Sequence, residues 1–125
     1  KVHIRAVGLF CGMYEIPRFA VGEHKGLAHD YLGRNFDLSD PRLDVLGAVT
    51  ENYPPAFIIT SCRDFLRDCA MPMYEFLSTK GIDAEYHCYG TADAKEVGHV
   101  FHVNIRLKDA QQCNDDAAAF FKKYV

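Results

Sequence analysis

The chain has 125 residues with 14 Lys and Arg against 17 Asp and Glu, a formal net charge of −3 and a pI near 6.0. That balance supplies no concentrated basic face and disfavours a polynucleotide partner. With 49% apolar and 25% charged residues the chain can bury a real core as one unit, and no uninterrupted apolar run approaches the ~18 residues of a membrane span.

The first element expected is a strand within Val2 to Tyr14, where Ala6-Val7-Gly8-Leu9-Phe10 is apolar enough for an interior position and Gly12 breaks the run. His24 to Leu32 carries Leu27, Ala28, Tyr31 and Leu32 in a stripe that fits a short amphipathic helix, with Gly33 as its stop. Asp40 followed by Pro41 reads as a capped helix start, and the second helix is predicted from Pro41 to Val49. Pro54-Pro55 then leads into Ala56-Phe57-Ile58-Ile59-Thr60, a run suited to a strand covered on both faces.

A polar turn, Ser61-Cys62-Arg63-Asp64, follows this strand. In open α/β sheets functional groups collect at strand carboxyl ends, because helices cover the faces and leave those loops free. Asp64 can therefore orient a histidine, or it can cap the helix that follows. That helix is predicted over 65–80, with Met73 and Phe76 in the core, Pro72 as a distortion and Gly81 as the stop. Arg63, Arg67 and Asp68 read as its solvated or ion-paired start.

Ile82 to Tyr89 alternates Ala84, Tyr86 and Cys88 against Asp83, Glu85 and His87, the pattern of a strand at or near a sheet edge with His87 facing solvent. A polar loop from Gly90 to Gly98 leads to His99, 35 positions after Asp64 (99 minus 64) and again beyond a strand's end. His102 competes as a base. A terminal amphipathic helix over 109–125 is carried by Ala110, Cys113, Ala117, Phe120 and Tyr124.

Asp64 then His99 is the chain order of acid and base in one form of the Ser-His-Asp arrangement. The nucleophile motif is absent: no Gly-x-Ser-x-Gly occurs, and none of Ser39, Ser61 and Ser78 stands between glycines. Five cysteines, Cys11, Cys62, Cys69, Cys88 and Cys113, lack Cys-x-x-Cys spacing, which argues against a disulfide framework and for a reducing compartment. Cys62, Cys69, His87, Cys88, His99 and His102 also lack the paired spacings of a closed zinc site, so no metal is expected and the thiols read as buried fillers.

These elements resemble the C-terminal half of an α/β-hydrolase of the hormone-sensitive-lipase-like esterase group. The resemblance rests on the proline-led strand Pro54 to Thr60, the turn Asp64-Phe65-Leu66-Arg67-Asp68 and the turn His99-Val100-Phe101, where Val100 replaces the family's glycine. Ala6 to Gly12 is similar to the strand after the nucleophile helix. The resemblance implies a mostly parallel sheet flanked by helices, without the nucleophile-elbow half. It implies Asp64 as triad acid, His99 as triad base, a small-molecule ester as substrate and no cofactor. It also implies a connecting or lid-like excursion at about 23–53, with Met13, Tyr14, Ile16 and Phe19 either reaching the acyl pocket or packing on the core. The expected partner is a missing N-terminal half of the same protein, or a second copy as a homo-oligomer, in the cytoplasm. The alternative is a non-catalytic α/β module in which Asp64 is only a cap and His99 a packed turn residue.

Overall fold

The computed structural model describes residues 2–125, and its organising element is a strand, β2 (Ala56–Ser61), buried at all six positions. β2 lies between β1 (Val7–Phe10) and β3 (Ala84–Tyr89) in a three-stranded, wholly parallel sheet. Alternating side chains explain the double burial, since neighbours along a strand point to opposite faces. Phe57 and Ile59 enter one core with Cys113, Ala117 and Phe120 of helix α4 (Lys108–Phe121). Ala56 and Ile58 enter the other with Ala70, Met73 and Leu77 of helix α3 (Arg67–Thr79). A helix on each face is what a parallel sheet requires, because both of its surfaces are apolar.

Two further helices, which we label α1 (Ile16–Val21) and α2 (Lys25–Leu32), lie between β1 and β2 and pack against each other. Gly33, at φ 85°, ends α2 as expected. The helix predicted over 41–49 shrinks to one 3₁₀ turn, Pro41–Leu43. Asp40 does cap it, accepting from the Arg42 amide at 2.9 Å. Asp44 then leaves helical geometry at ψ 78° and accepts from the Gly47 amide at 2.8 Å, a local turn that takes donors a helix would have used.

α3 continues through Pro72, which sits on its exposed side, so the expected distortion does not end the helix. Gly81, at φ 71°, follows it in the left-handed conformation glycine favours. β1 pairs with β2 alone among the described residues, so it occupies an edge here and is only half covered. β3 takes the other edge, yet its residues 84–87 are all half-buried rather than alternating. His87 is one of them, with its ring 5.0 Å from Phe57 and its Nε2 3.3 Å from Glu85. Cys88 is exposed, and Cys62 and Cys69 are half-buried, so only Cys11 and Cys113 fit the buried-thiol expectation. Among the described residues no helix is long and apolar enough to cross a membrane.

Candidate active site

Because the three strands are parallel, their carboxyl ends share one rim, and the chain leaves that rim at Cys11, Ser61 and Gly90. The Cys11 amide still bonds the Ile59 carbonyl at 2.9 Å and the Cys62 amide the Tyr89 carbonyl at 2.9 Å, so the ladder holds to the point of departure. Each of the next segments contributes to one cluster.

Asp64 closes a turn after β2, its amide donating to the Ser61 carbonyl at 3.1 Å, and its side chain is fully buried. Oδ1 accepts from the Leu66 amide at 2.9 Å and lies 2.8 Å from His99 Nδ1; Oδ2 accepts from the Thr60 hydroxyl at 3.0 Å. The two readings of Asp64 are thus not exclusive. It caps the turn into α3 and meets the imidazole with the same oxygen. Burial by itself opposes the charge, but the hydrogen bonds from Leu66, His99, Cys11 and Thr60 outweigh it and hold the carboxyl below its ordinary value of 3.8.

His99 arrives through the loop 90–98, which is fastened at several points. Gly90, at φ 71°, makes the first bend where an added Cβ would stand 2.9 Å from Val97, so both conformation and space call for glycine. Its amide donates to Asp109 at 3.2 Å, and Arg63 Nη1 donates to the Ala92 carbonyl at 2.8 Å. Arg63 is therefore a brace on this loop, not merely a solvated charge. Ser61 Oγ, fully buried, donates to the Gly98 carbonyl at 3.1 Å. The imidazole of His99 keeps about a third of its surface open, 32%, beside the Phe65 ring at 4.5 Å.

His102 does not share this position. Its ring packs on Phe10 at 4.8 Å, and its Nδ1 is buried without a hydrogen-bond partner. Burial, followed by the nearby His99, pushes its pKa below 6.5. It is a packed neutral ring.

Cys11 was not distinguished by its sequence context, yet its sulfur joins Asp64 and His99 in a group whose donor atoms lie within 4.8 Å of one another. Burial above all, and then the Asp64 charge, push its thiol up to about 12, while a hydrogen bond from the Val100 backbone works the other way. The group therefore stays protonated and serves Asp64 as a donor. The only signal available beforehand was Cys11's place at a strand end. Among the described residues Cys11 and Val100 are the two non-glycine residues at positive φ, 51° and 52°, and both stand at this rim.

Among the described residues no serine hydroxyl is hydrogen-bonded to His99. Ser61 is committed to Gly98, Ser78 to the Tyr74 carbonyl and Ser39 to Asp37. A cavity of about 310 Å³, which neither Asp64 nor His99 lines, is bounded by Phe19, His24, Phe65, Leu66, Cys69 and Arg18 among others, and the Phe65 ring also lies against His99. Phe19 thus reaches a pocket wall, whereas Tyr14 packs in the α3-side core.

A parallel sheet with helices on both faces, a carboxylate and an imidazole meeting at its carboxyl rim, defines a portion of an α/β fold. No family model and no curated protein sequence matches the chain. Solved structures do match. Esterase B from Lactobacillus Rhamnosis is similar over 95% of this chain and 40% of its own, at 17% identity and a TM-score of 0.71. A Pyrobaculum calidifontis esterase is similar over 96% of this chain and 43% of its own, at 20% identity and 0.74. An alpha/beta hydrolase enzyme from the metagenome of Lake Arreo, Spain, is similar over 88% of this chain and 36% of its own, at 28% identity and 0.60. The fold is that of the C-terminal portion of an α/β-hydrolase, and the chain spans about two fifths of the length of the first of these structures.

Proposed function

We propose that these residues are the acid-and-base portion of a serine carboxylesterase, with Asp64 as triad acid and His99 as triad base. The observation that carries the reading is the 2.8 Å contact between a buried carboxylate and the Nδ1 of a partly open imidazole. Asp64 fixes the tautomer that leaves Nε2 to accept a proton, and it stabilises the imidazolium that results. His99 takes the proton of a serine hydroxyl as that oxygen attacks an ester carbonyl, then returns it to the leaving alcohol. Water repeats the sequence to release the acid. The serine and the oxyanion donors come from polypeptide outside these residues, in this fold from the nucleophile elbow and an earlier loop.

The open edge of β1 supports that assembly. A parallel strand with one partner has unpaired backbone groups along its other side, which a further strand from an N-terminal half, or from a second copy, would satisfy. Small-molecule esters are the substrate class, and five free thiols fit a reducing compartment such as the cytoplasm.

The test is turnover of short-chain nitrophenyl esters by the full-length protein. His99→Ala is expected to lower kcat by about 10³-fold or more, with folding retained by circular dichroism. Undiminished turnover in that variant would discard the assignment. Absence of turnover in the full-length protein itself would leave the pair as a structural cap and brace, the role that the Leu66 contact alone explains.

A further inference from the structure

The end of β2 and the end of β3 carry a second pair of side chains, outside the Asp64–His99 cluster. Cys62 Sγ, in the turn one residue beyond β2, and Cys88 Sγ, on β3, lie 3.7 Å apart; the ladder places Thr60 opposite Cys88 and bonds the Cys62 amide to the Tyr89 carbonyl. Both thiols are free; Cys88 is exposed and Cys62 half-buried. The two sulfurs are in contact, so closing the remaining gap brings them to the ~2.05 Å of a disulfide. The remaining cysteines lack that opportunity. Cys11 and Cys113 are sealed in the core, and Cys69 lies on α3 with no sulfur hydrogen-bonded to it.

We propose that Cys62 and Cys88 are an oxidative modification site, a dithiol that low-molecular-weight disulfides convert to an intramolecular cross-link between the acid-bearing turn and the strand that feeds the base-bearing loop. Cys88, the accessible member, attacks one sulfur of the small disulfide as its thiolate, having lost its proton to solvent. The small disulfide's S–S bond breaks, one thiolate leaves and takes up a proton, and Cys88 is held as a mixed disulfide. Cys62 then attacks the Cys88 sulfur, displacing the second small thiol. In sum the protein loses two hydrogens and gains one S–S bond, while the small disulfide is reduced to two thiols. The link lies two residues before Asp64, and Cys62 Sγ already touches the Gly90 carbonyl at 3.1 Å, so it closes beside the hinge of the 90–98 loop.

This inference is independent of the esterase reading, since it concerns thiols and is measured without substrate. The native protein is equilibrated with oxidised glutathione, quenched with acid, alkylated under denaturing conditions and mapped by mass. The expected result is loss of alkylation at Cys62 and Cys88 and a linked peptide pair containing both, reversed by dithiothreitol. In Cys62→Ser the mixed disulfide on Cys88 accumulates, because the resolving thiol is gone. Full alkylation of Cys62 and Cys88, a glutathione adduct that persists on wild-type Cys88, or a link through Cys69 would each overturn the proposal. The wild-type map is decisive by itself if the variant does not fold.

Discussion

Ser61 Oγ donates to the Gly98 carbonyl at 3.1 Å, joining positions 37 apart in sequence and tying the last residue of β2 to the residue before His99. The hydroxyl is fully buried, so neither water nor another side chain substitutes for it. Ser61→Ala leaves the carbonyl without this donor, and the expected cost is about 0.5–1.5 kcal/mol. In the full-length protein kcat should fall while KM holds, because the base is displaced but the pocket walls are not. Urea denaturation and steady-state kinetics check both, and an unaltered kcat would remove Ser61 from the positioning scheme.

Two substitutions at Asp64 separate its structural and chemical duties. Asp64→Asn keeps an acceptor for the Leu66 amide but loses the charge facing His99, so turnover in the full-length protein should fall by about 10⁴-fold with a modest loss of stability. Asp64→Ala also strands the Leu66 amide and the Thr60 hydroxyl, and should cost about 1–3 kcal/mol. The folded carboxyl holds its proton less tightly than the unfolded one. Its contribution is therefore present above the ordinary value of 3.8 and is lost as pH falls through the lower folded value. Acid titrations of melting temperature should be shallower in that range for Asp64→Asn than for wild type.

Val100 follows His99 at φ 52° and ψ 29°, a left-handed conformation that a β-branched residue adopts only under strain. The side chain is 40% exposed and contributes little packing. Val100→Gly relieves strain of about 1–3 kcal/mol and gives back part of it, about 0.5–1 kcal/mol, through the freer unfolded chain. A net gain on the order of 1 kcal/mol in denaturant unfolding is expected. A loss of stability would show that packing around Val100 outweighs its backbone cost.

His102 predicts a pH effect of its own. Its folded pKa lies below 6.5, so as pH falls through 6.5 the unfolded state takes up the proton first and stability declines. His102→Phe keeps a ring against Phe10 and removes the unpartnered Nδ1. The variant should melt higher than wild type, and its melting temperature should change less between about pH 5 and 7. An identical pH dependence in both proteins would assign the decline to other groups.

The fold class was legible because burial on both faces leaves a mark on sequence: Ala56 to Ile59 is unbroken by polar residues, and α3 and α4 carry their core residues at helical spacing. Asp64 and His99 were legible as candidates because each follows a strand-like run. The segment 41–49 was misread, since a cap at Asp40 and a proline after it start an α-helix and a 3₁₀ turn equally well, and the competing contact is made by the Asp44 side chain. His87 is half-buried and Cys88 exposed, against expectation, because both faces of β3 are partly covered and alternation cannot show that.

Local pattern thus settled the three strands and helices α2, α3 and α4, and which polar residues stand at their ends, because propensity and periodicity act over a few neighbours. The meeting of Asp64 with His99, the entry of Cys11, the Ser61 tether and the Cys62–Cys88 approach had no such local source. Each depends on three strands running in the same direction at a common register, and that register arises from core packing between segments far apart in the chain.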